Sequence, residues 1–282
     1  MWFGCAGRNY KQTLEARDIG NWVCVYNENA STEAIKNFDL AVLDADAHPD
    51  LSALKNSRTI LIGYVSLGEV GDYRWFWPQM AGKSWVLDKN PNWNSYFVDV
   101  RAPEWHDLLL DKIIPKILED GFDGLFLDTV DNAEYLEKYH PVKKYPGSQA
   151  AMIQLIRKMR LRFPDIHIIA NRGFAILEQI AGDIDGVVAE SVFTTVDFEN
   201  EGKMRILRTE EYTVNLRRLV AVKNRSKIKV FTLDYLEKHK EREISRLISK
   251  SREFGFIPYV STPRLDGIYL NTLRTATESS TW

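Results

Sequence analysis

Two apolar runs in this chain stop on a carboxylate. Gly124-Leu125-Phe126-Leu127 ends at Asp128, and Gly186-Val187-Val188-Ala189 ends at Glu190. An acid that closes a buried strand sits on rigid backbone where the chain leaves the core. Two such acids facing each other can break a glycosidic bond. One, protonated, helps the leaving oxygen depart; the other, ionised, attacks the anomeric carbon or activates water. Crowding further acids nearby raises the proton donor's pKa, because a neighbouring negative charge disfavours ionisation.

The ends of the other apolar runs are acidic too. They carry Asn27, Glu28, Asp44, Asp46, Glu69, Asp72, Asp131, Asn171, Asp234 and Asp266, against three bases, Arg74, Arg172 and Arg264. Asp128 and Glu190 are the expected catalytic pair. Asp44, Tyr64, Glu69, Asp131, Asn171, Asp234 and Tyr259 are expected to bind sugar hydroxyls or an amine, and Arg74 to pair with Glu69 or Asp72. Aromatic residues cluster on and after the third apolar run (Tyr64, Tyr73, Trp75, Trp77, Trp85, Trp93), with Tyr235 and Tyr259 near the last two. Flat rings stack on the C–H faces of pyranoses while acids and amides take the hydroxyls. Trp85 and Trp93 are expected to pack the segment that carries them.

Other chemistries fit less well. The five histidines (His48, His106, His140, His167, His239) show no metal-ligand spacing, and two cysteines, Cys5 and Cys24, make neither a zinc site nor a disulfide framework. An all-carboxylate magnesium site is the alternative that the acids leave open; the expectation is no metal and no cofactor. The segments after the last two runs are too poor in glycine to cradle a phosphate. The net charge of −2 offers no global attraction to nucleic acid. Residues 203–253 carry about twice as many basic as acidic side chains, a bias that two solvated helices explain. No run reaches the roughly 18 apolar residues of a membrane span. The sequence Phe3-Gly4-Cys5-Ala6-Gly7 looks like a lipoprotein junction, so Cys5 is a candidate lipid anchor if the gene begins upstream.

Those acids need a scaffold. Eight β-branched or apolar runs, at 21–27, 38–44, 59–67, 123–128, 165–171, 185–190, 227–234 and 255–261, alternate with helical patterns at 32–37, 50–56, 103–119, 148–163, 174–182, 209–225 and 238–253. The runs are continuously apolar, as strands covered on both faces are. No G-x-G-x-x-G follows the first of them, as a doubly wound fold often has. The pattern predicts one (β/α)₈ barrel domain over the 282 residues, its core at about 20–265, with an aromatic-rich insertion at 68–102 in which Tyr96-Phe97-Val98-Asp99-Val100 adds a small strand. In such barrels the active site lies at the C-terminal ends of the strands, where these acids fall.

The segments 64–74 (YVSLGEVGDYR), 96–105 (YFVDVRAPEW), 121–131 (GFDGLFLDTVD), 170–173 (ANRG), 189–191 (AES) and 231–235 (FTLDY) resemble, in this order, the endo-α-1,4-polygalactosaminidase family, glycoside hydrolase family 114. The resemblance spans roughly residues 20–265 and rests mainly on 64–74 and 121–131. It implies a (β/α)₈ barrel, hydrolysis of α-1,4-linked galactosamine or N-acetylgalactosamine polymers, no cofactor, and a catalytic pair at Asp128 and Glu190. It also implies action outside the cytoplasm, although the chain as given carries no export signal. By analogy with related barrel glycosidases, Asp128 is the nucleophile and Glu190 the acid/base of a retaining mechanism. An acidic mouth would attract a deacetylated, cationic amino sugar. One departure concerns subsite charge: where many relatives carry an acid next to the glutamate, this chain has Ala189 and Ser191. A glycan-binding barrel without turnover and a hydrolase of another α-glycan are the alternative readings. Oligomeric state and endo or exo action are not legible.

Overall fold

All eight apolar runs become strands of one parallel sheet: β1 (Trp22–Val25), β2 (Leu40–Asp44), β3 (Ile60–Ser66), β4 (Gly124–Asp128), β5 (His167–Asn171), β6 (Gly186–Glu190), β7 (Lys229–Tyr235) and β8 (Ile257–Ser261). The computed structural model describes residues 14–197 and 202–270; Cys5 lies outside them. Neighbouring strands pair in chain order. The last strand returns to the first, where the Trp22 indole donates to the Ile257 carbonyl at 2.9 Å and the Tyr26 amide to the Leu265 carbonyl at 2.7 Å. The result is a nearly closed (β/α)₈ barrel.

Register fixes what faces inward. Paired residues in a parallel sheet share a face, and faces alternate along a strand. Cys24 pairs with Val42, Asp44 with Tyr64, Ser66 with Asp128, Asn171 with Val188, Leu233 with Glu190, and Tyr235 with Ser261. The interior therefore fills in layers, with Trp22, Phe126 and Phe231 deep in the barrel and fully buried. Its uppermost layer is polar: Asp44, Asp128, Asn171, Glu190 and Tyr235.

The longer helices follow the sequence pattern, whereas 32–37 and 174–182 shorten to Thr32–Ile35 and Leu177–Ile180 and helical turns at 132–139 appear unannounced; two further differences are informative. The helical run 103–120 contains a π-turn at Leu109–Ile113, in which the Ile114 amide bonds back to the Leu109 carbonyl. Pro115 lacks an amide hydrogen and its ring crowds the preceding turn, so a wider turn just ahead of it keeps the helix continuous. Between β2 and β3 the expected helix at 50–56 shrinks to one 3₁₀ turn, Leu51–Leu54, capped by the Asp50 carboxylate on the Ser52 amide at 2.9 Å.

The insertion after β3 holds more structure than its sequence signalled. Glu69–Gly71, Val86–Asn90 and Ser95–Val98 form a three-stranded antiparallel sheet with the last strand central. Trp85 is buried beside Trp105, as expected. Trp93 departs from expectation: it is 60% exposed and stands at the barrel mouth. After β6, Thr194–Asp197 and Lys203–Ile206 pair as an antiparallel ribbon that no apolar run in the sequence announces.

Candidate active site

A cleft of about 720 Å³ opens over the polar layer, bounded by the insertion on one side and by Pro263, Arg264 and Leu265 on the other. Asp128 and Glu190 both line it. The Asp128 carboxylate accepts from the Tyr64 hydroxyl at 2.7 Å through Oδ2 and from Asn171 Nδ2 at 2.8 Å through Oδ1. Glu190 accepts from the same Asn171 nitrogen at 2.6 Å through Oε1 and from the Tyr235 hydroxyl at 2.8 Å through Oε2. One amide nitrogen thus bridges both acids. Their bridged oxygens lie at most 2.8 plus 2.6, or 5.4 Å, apart.

Strand geometry places these groups. Asp128, Asn171 and Glu190 are the last residues of β4, β5 and β6, and each is followed by a residue in the left-handed region: Thr129 at φ 57°, Arg172 at 56° and Ser191 at 54°. That conformation is costly for residues with a Cβ, most of all for a β-branched one such as Thr129. Local bonds hold it. The Thr129 hydroxyl donates to its neighbour's carbonyl at 2.7 Å, accepts from the Gly68 amide at 2.7 Å and meets Ser66 Oγ at 2.8 Å. Gly68 is required there, since a Cβ on it would lie 2.6 Å from the Thr129 carbonyl oxygen.

Electrostatics separates the two acids. Burial pushes the Glu190 carboxyl above its ordinary value, and the neighbouring Asp128 charge pushes it further, outweighing the bonds from Tyr235 and Asn171. Burial also holds the Tyr64 and Tyr235 hydroxyls well above their ordinary value, with the adjoining carboxylates adding to it. Both phenols are therefore fixed donors. Asp131 also lines the cleft and is raised by burial, partly offset by Arg172, which it meets at 3.0 Å. Glu69, 6% exposed, accepts from Asn90 at 3.0 Å, from Asn132 at 2.7 Å and from the Ser95 hydroxyl.

Four expectations need correction. Asp44 sits in the top layer, but its carboxylate is already taken: the Arg74 guanidinium grips it in a two-bond fork, both at 2.8 Å, and the amides of Asp46 and Ala47 bond its Oδ1. Burial works against its charge, but Arg74 wins and holds the carboxyl below its ordinary value. Arg74 accordingly pairs with Asp44 and Asp46, not with Glu69 or Asp72. Asp234 points the wrong way. It lies on the opposite face of β7 from Leu233 and Tyr235, 2% exposed, and accepts from the Phe193 and Thr194 amides at 2.7 and 2.9 Å. Burial pushes its carboxyl up to about 6. Asp234 anchors the loop that follows Glu190. Tyr259 faces inward but one layer too deep, packed 5.8 Å from Trp22 and 6.3 Å from Phe38. The residue missed as a partner of the acids is Tyr235. Its signal was the two-residue period of β7, which puts it on the face of Leu233, the partner of Glu190.

Among the described residues no group of three His, Cys, Asp or Glu side chains converges as metal ligands.

A model of the glycoside-hydrolase family GH114 matches residues 7–277 of this chain. The chain belongs to that family. It is a glycosidase. The glycoside hydrolase domain of PelA from Pseudomonas aeruginosa is similar to it at 26% identity, over 90% of this chain and 98% of that one, with a TM-score of 0.75. The structure of Aspergillus fumigatus Ega3 in complex with galactosamine shares the fold at 14% identity and a TM-score of 0.64, over 92% of this chain and 98% of that one. A Methanocaldococcus jannaschii protein is 27% identical over 87% of this chain and 76% of its own length. The GH114 match covers every element that carries the cleft.

Proposed function

We propose that this glycosidase hydrolyses an α-1,4-linked galactosaminoglycan with retention of configuration, using Asp128 as nucleophile and Glu190 as acid/base. The observation that carries the pair is the single Asn171 nitrogen bonded to both acids, which keeps their nearest oxygens within 5.4 Å. That bound concerns the nearest oxygens alone, and such close approach favours direct attack on the anomeric carbon, for which carboxyl groups stand about 5–5.5 Å apart, over inversion, which needs about 6.5–9.5 Å to admit a water. Glu190 donates its proton to the glycosidic oxygen as the C–O bond breaks, and Asp128 forms an ester to the anomeric carbon. That ester carries no charge, so the main electrostatic pressure on Glu190 disappears and its carboxylate becomes the stable form. It then takes a proton from the incoming water, whose oxygen attacks the anomeric carbon and releases Asp128. One residue serves as acid and then base because its neighbour's charge is switched off between the steps.

The amino-sugar assignment has two supports. One is the family, together with the galactosamine bound by Ega3. The other is Glu69, a buried carboxylate on the cleft wall with neutral donors around it and no ion pair among the described residues. A buried anion is costly unless paired, and the ammonium of a deacetylated unit would supply the pair. Incubation with partially deacetylated α-1,4-galactosaminoglycan is expected to give shorter chains whose new reducing ends first appear as the α-anomer by proton NMR. First appearance of the β-anomer would overturn retention, and an intact polymer beside a cleaved α-glycan of another kind would overturn the substrate.

The raised Glu190 carboxyl sets a pH dependence. The acid works only while protonated, so kcat/KM is expected to fall as pH rises through its folded-state value. That fall should come above the ordinary glutamate value of 4.5. A pH profile whose descending limb lies at or below the ordinary value would contradict the assignment.

A further inference from the structure

A second cavity, of about 500 Å³, lies on the flank of the barrel between the short turn after β2 and the C-terminal part of helix 103–120. Its origin is architectural. Where a regular unit would lay a full helix against β2 and β3, this chain has only the 3₁₀ turn Leu51–Leu54, and the space is left unfilled. The cavity adjoins the catalytic cleft: Ala45 and Asp46, just past the tip of β2, line both. Residues 73–76 form the divide. Tyr73, Arg74 and Phe76 line the cleft, while Trp75 lines the flank cavity.

We propose that this flank cavity is a distal subsite, which holds a sugar unit of the same polymer whose scissile bond lies in the cleft. The proposal rests on the substrate class given above, a polysaccharide, and extends the site that such a chain would occupy. Trp75 supplies the platform. It is 42% exposed and stands edge to face with Phe76 at 5.4 Å, so its large apolar ring remains open to solvent where core packing would have hidden it. An exposed indole in a concave site is suited to the C–H face of a pyranose. Most of the charged groups around it are already engaged, and Lys55 lies within electrostatic reach of Asp50. Asp46 pairs with Arg74 at 2.9 Å, Lys116 with Asp120 at 2.6 Å, and Asp50 caps its own turn. The subsite therefore offers a stacking surface with polar edges for hydroxyls and a near balance of charge, three carboxylates against two lysines, in contrast to the acidic cleft. Contacts remote from the scissile bond add binding energy that can be used to position the reacting unit. A polymer-degrading enzyme gains from them only if the chain is long enough to reach.

The test is binding as a function of chain length, read by titration calorimetry with α-1,4-galactosaminoglycan oligomers from trimer upward. For the native protein, affinity is expected to rise again once the oligomer spans from cleft to flank. Trp75→Ala should weaken the longest oligomers about five- to tenfold and leave the trimer unchanged, and Trp75→Tyr should restore most of the loss. Ser52→Phe, which places a ring in the cavity from an exposed turn, should abolish the same length advantage by blocking it. This second variant carries the test if Trp75→Ala does not fold. Equal losses on short and long oligomers, no loss on either, or no length dependence in the native protein would each overturn the subsite. The readout is binding, so failure to release shorter products would count against the proposed hydrolysis and leave this result standing on its own.

Discussion

Glu190→Gln is expected to lower kcat on natural polymer by roughly 10²- to 10⁴-fold, the usual range for loss of a positioned general acid. The fold should survive. A glutamine amide can accept from Asn171 and donate to the Tyr235 oxygen, so both partners of the native carboxylate keep a bond. Two further signatures separate lost proton transfer from a damaged site. The descending limb of the pH profile should vanish, because the group whose ionisation produced it is gone. An aryl glycoside, whose leaving group needs no proton, should form the covalent intermediate at close to the native rate. It should then stall, since no base remains to activate water. A variant equally impaired on aryl and natural substrates would show that Glu190 does not deliver the proton.

Asp128→Asn should be more severe, on the order of 10⁴-fold or more in kcat, since the proposed nucleophile could then form no bond to the anomeric carbon. Here too the replacement is nearly isosteric: the amide oxygen can accept from Asn171 and its NH₂ can donate to Tyr64. Melting temperature should therefore move little. A small anion such as azide, entering the space left by the missing charge, should restore part of the activity and yield a glycosyl azide of inverted configuration. Removing the Asp128 charge also relieves Glu190, whose carboxyl should titrate lower in the variant, observable by carbon NMR of labelled glutamate. No rescue together with an unmoved Glu190 would place Asp128 outside the reacting pair.

The barrel was legible because its strands announce themselves. Runs such as Ile60-Leu61-Ile62 or Val187-Val188-Ala189 are apolar on both faces, as covered strands are, and their alternation with helical patterns points to a parallel sheet. The paired strands Thr194–Asp197 and Lys203–Ile206 gave no such sign: the second is largely exposed and, among the described residues, pairs with the first alone, so burial left no imprint on its composition. At the site, strand-terminal position brings Asp128, Asn171 and Glu190 to the mouth together, because β4, β5 and β6 all end there. It misled for Asp234, because β7 runs one residue further and presents Tyr235 instead. Arg74 illustrates a different limit. Its partners, Asp44 and Asp46, lie on the neighbouring strand's loop, and proximity between loops is a property of the closed sheet that local spacing does not encode.

The left-handed turns at Thr129, Arg172 and Ser191 also bear on how this protein can evolve. Each holds a conformation that glycine would adopt without strain, at a cost of order 1–3 kcal/mol for an ordinary residue. Glycine at Thr129 would forfeit the three bonds of its hydroxyl and at Arg172 the ion pair to Asp131, so selection for thermostability would find its easiest gain at Ser191. That gain would add backbone freedom beside a side chain that has to be aimed, so heat resistance and turnover should pull against each other there.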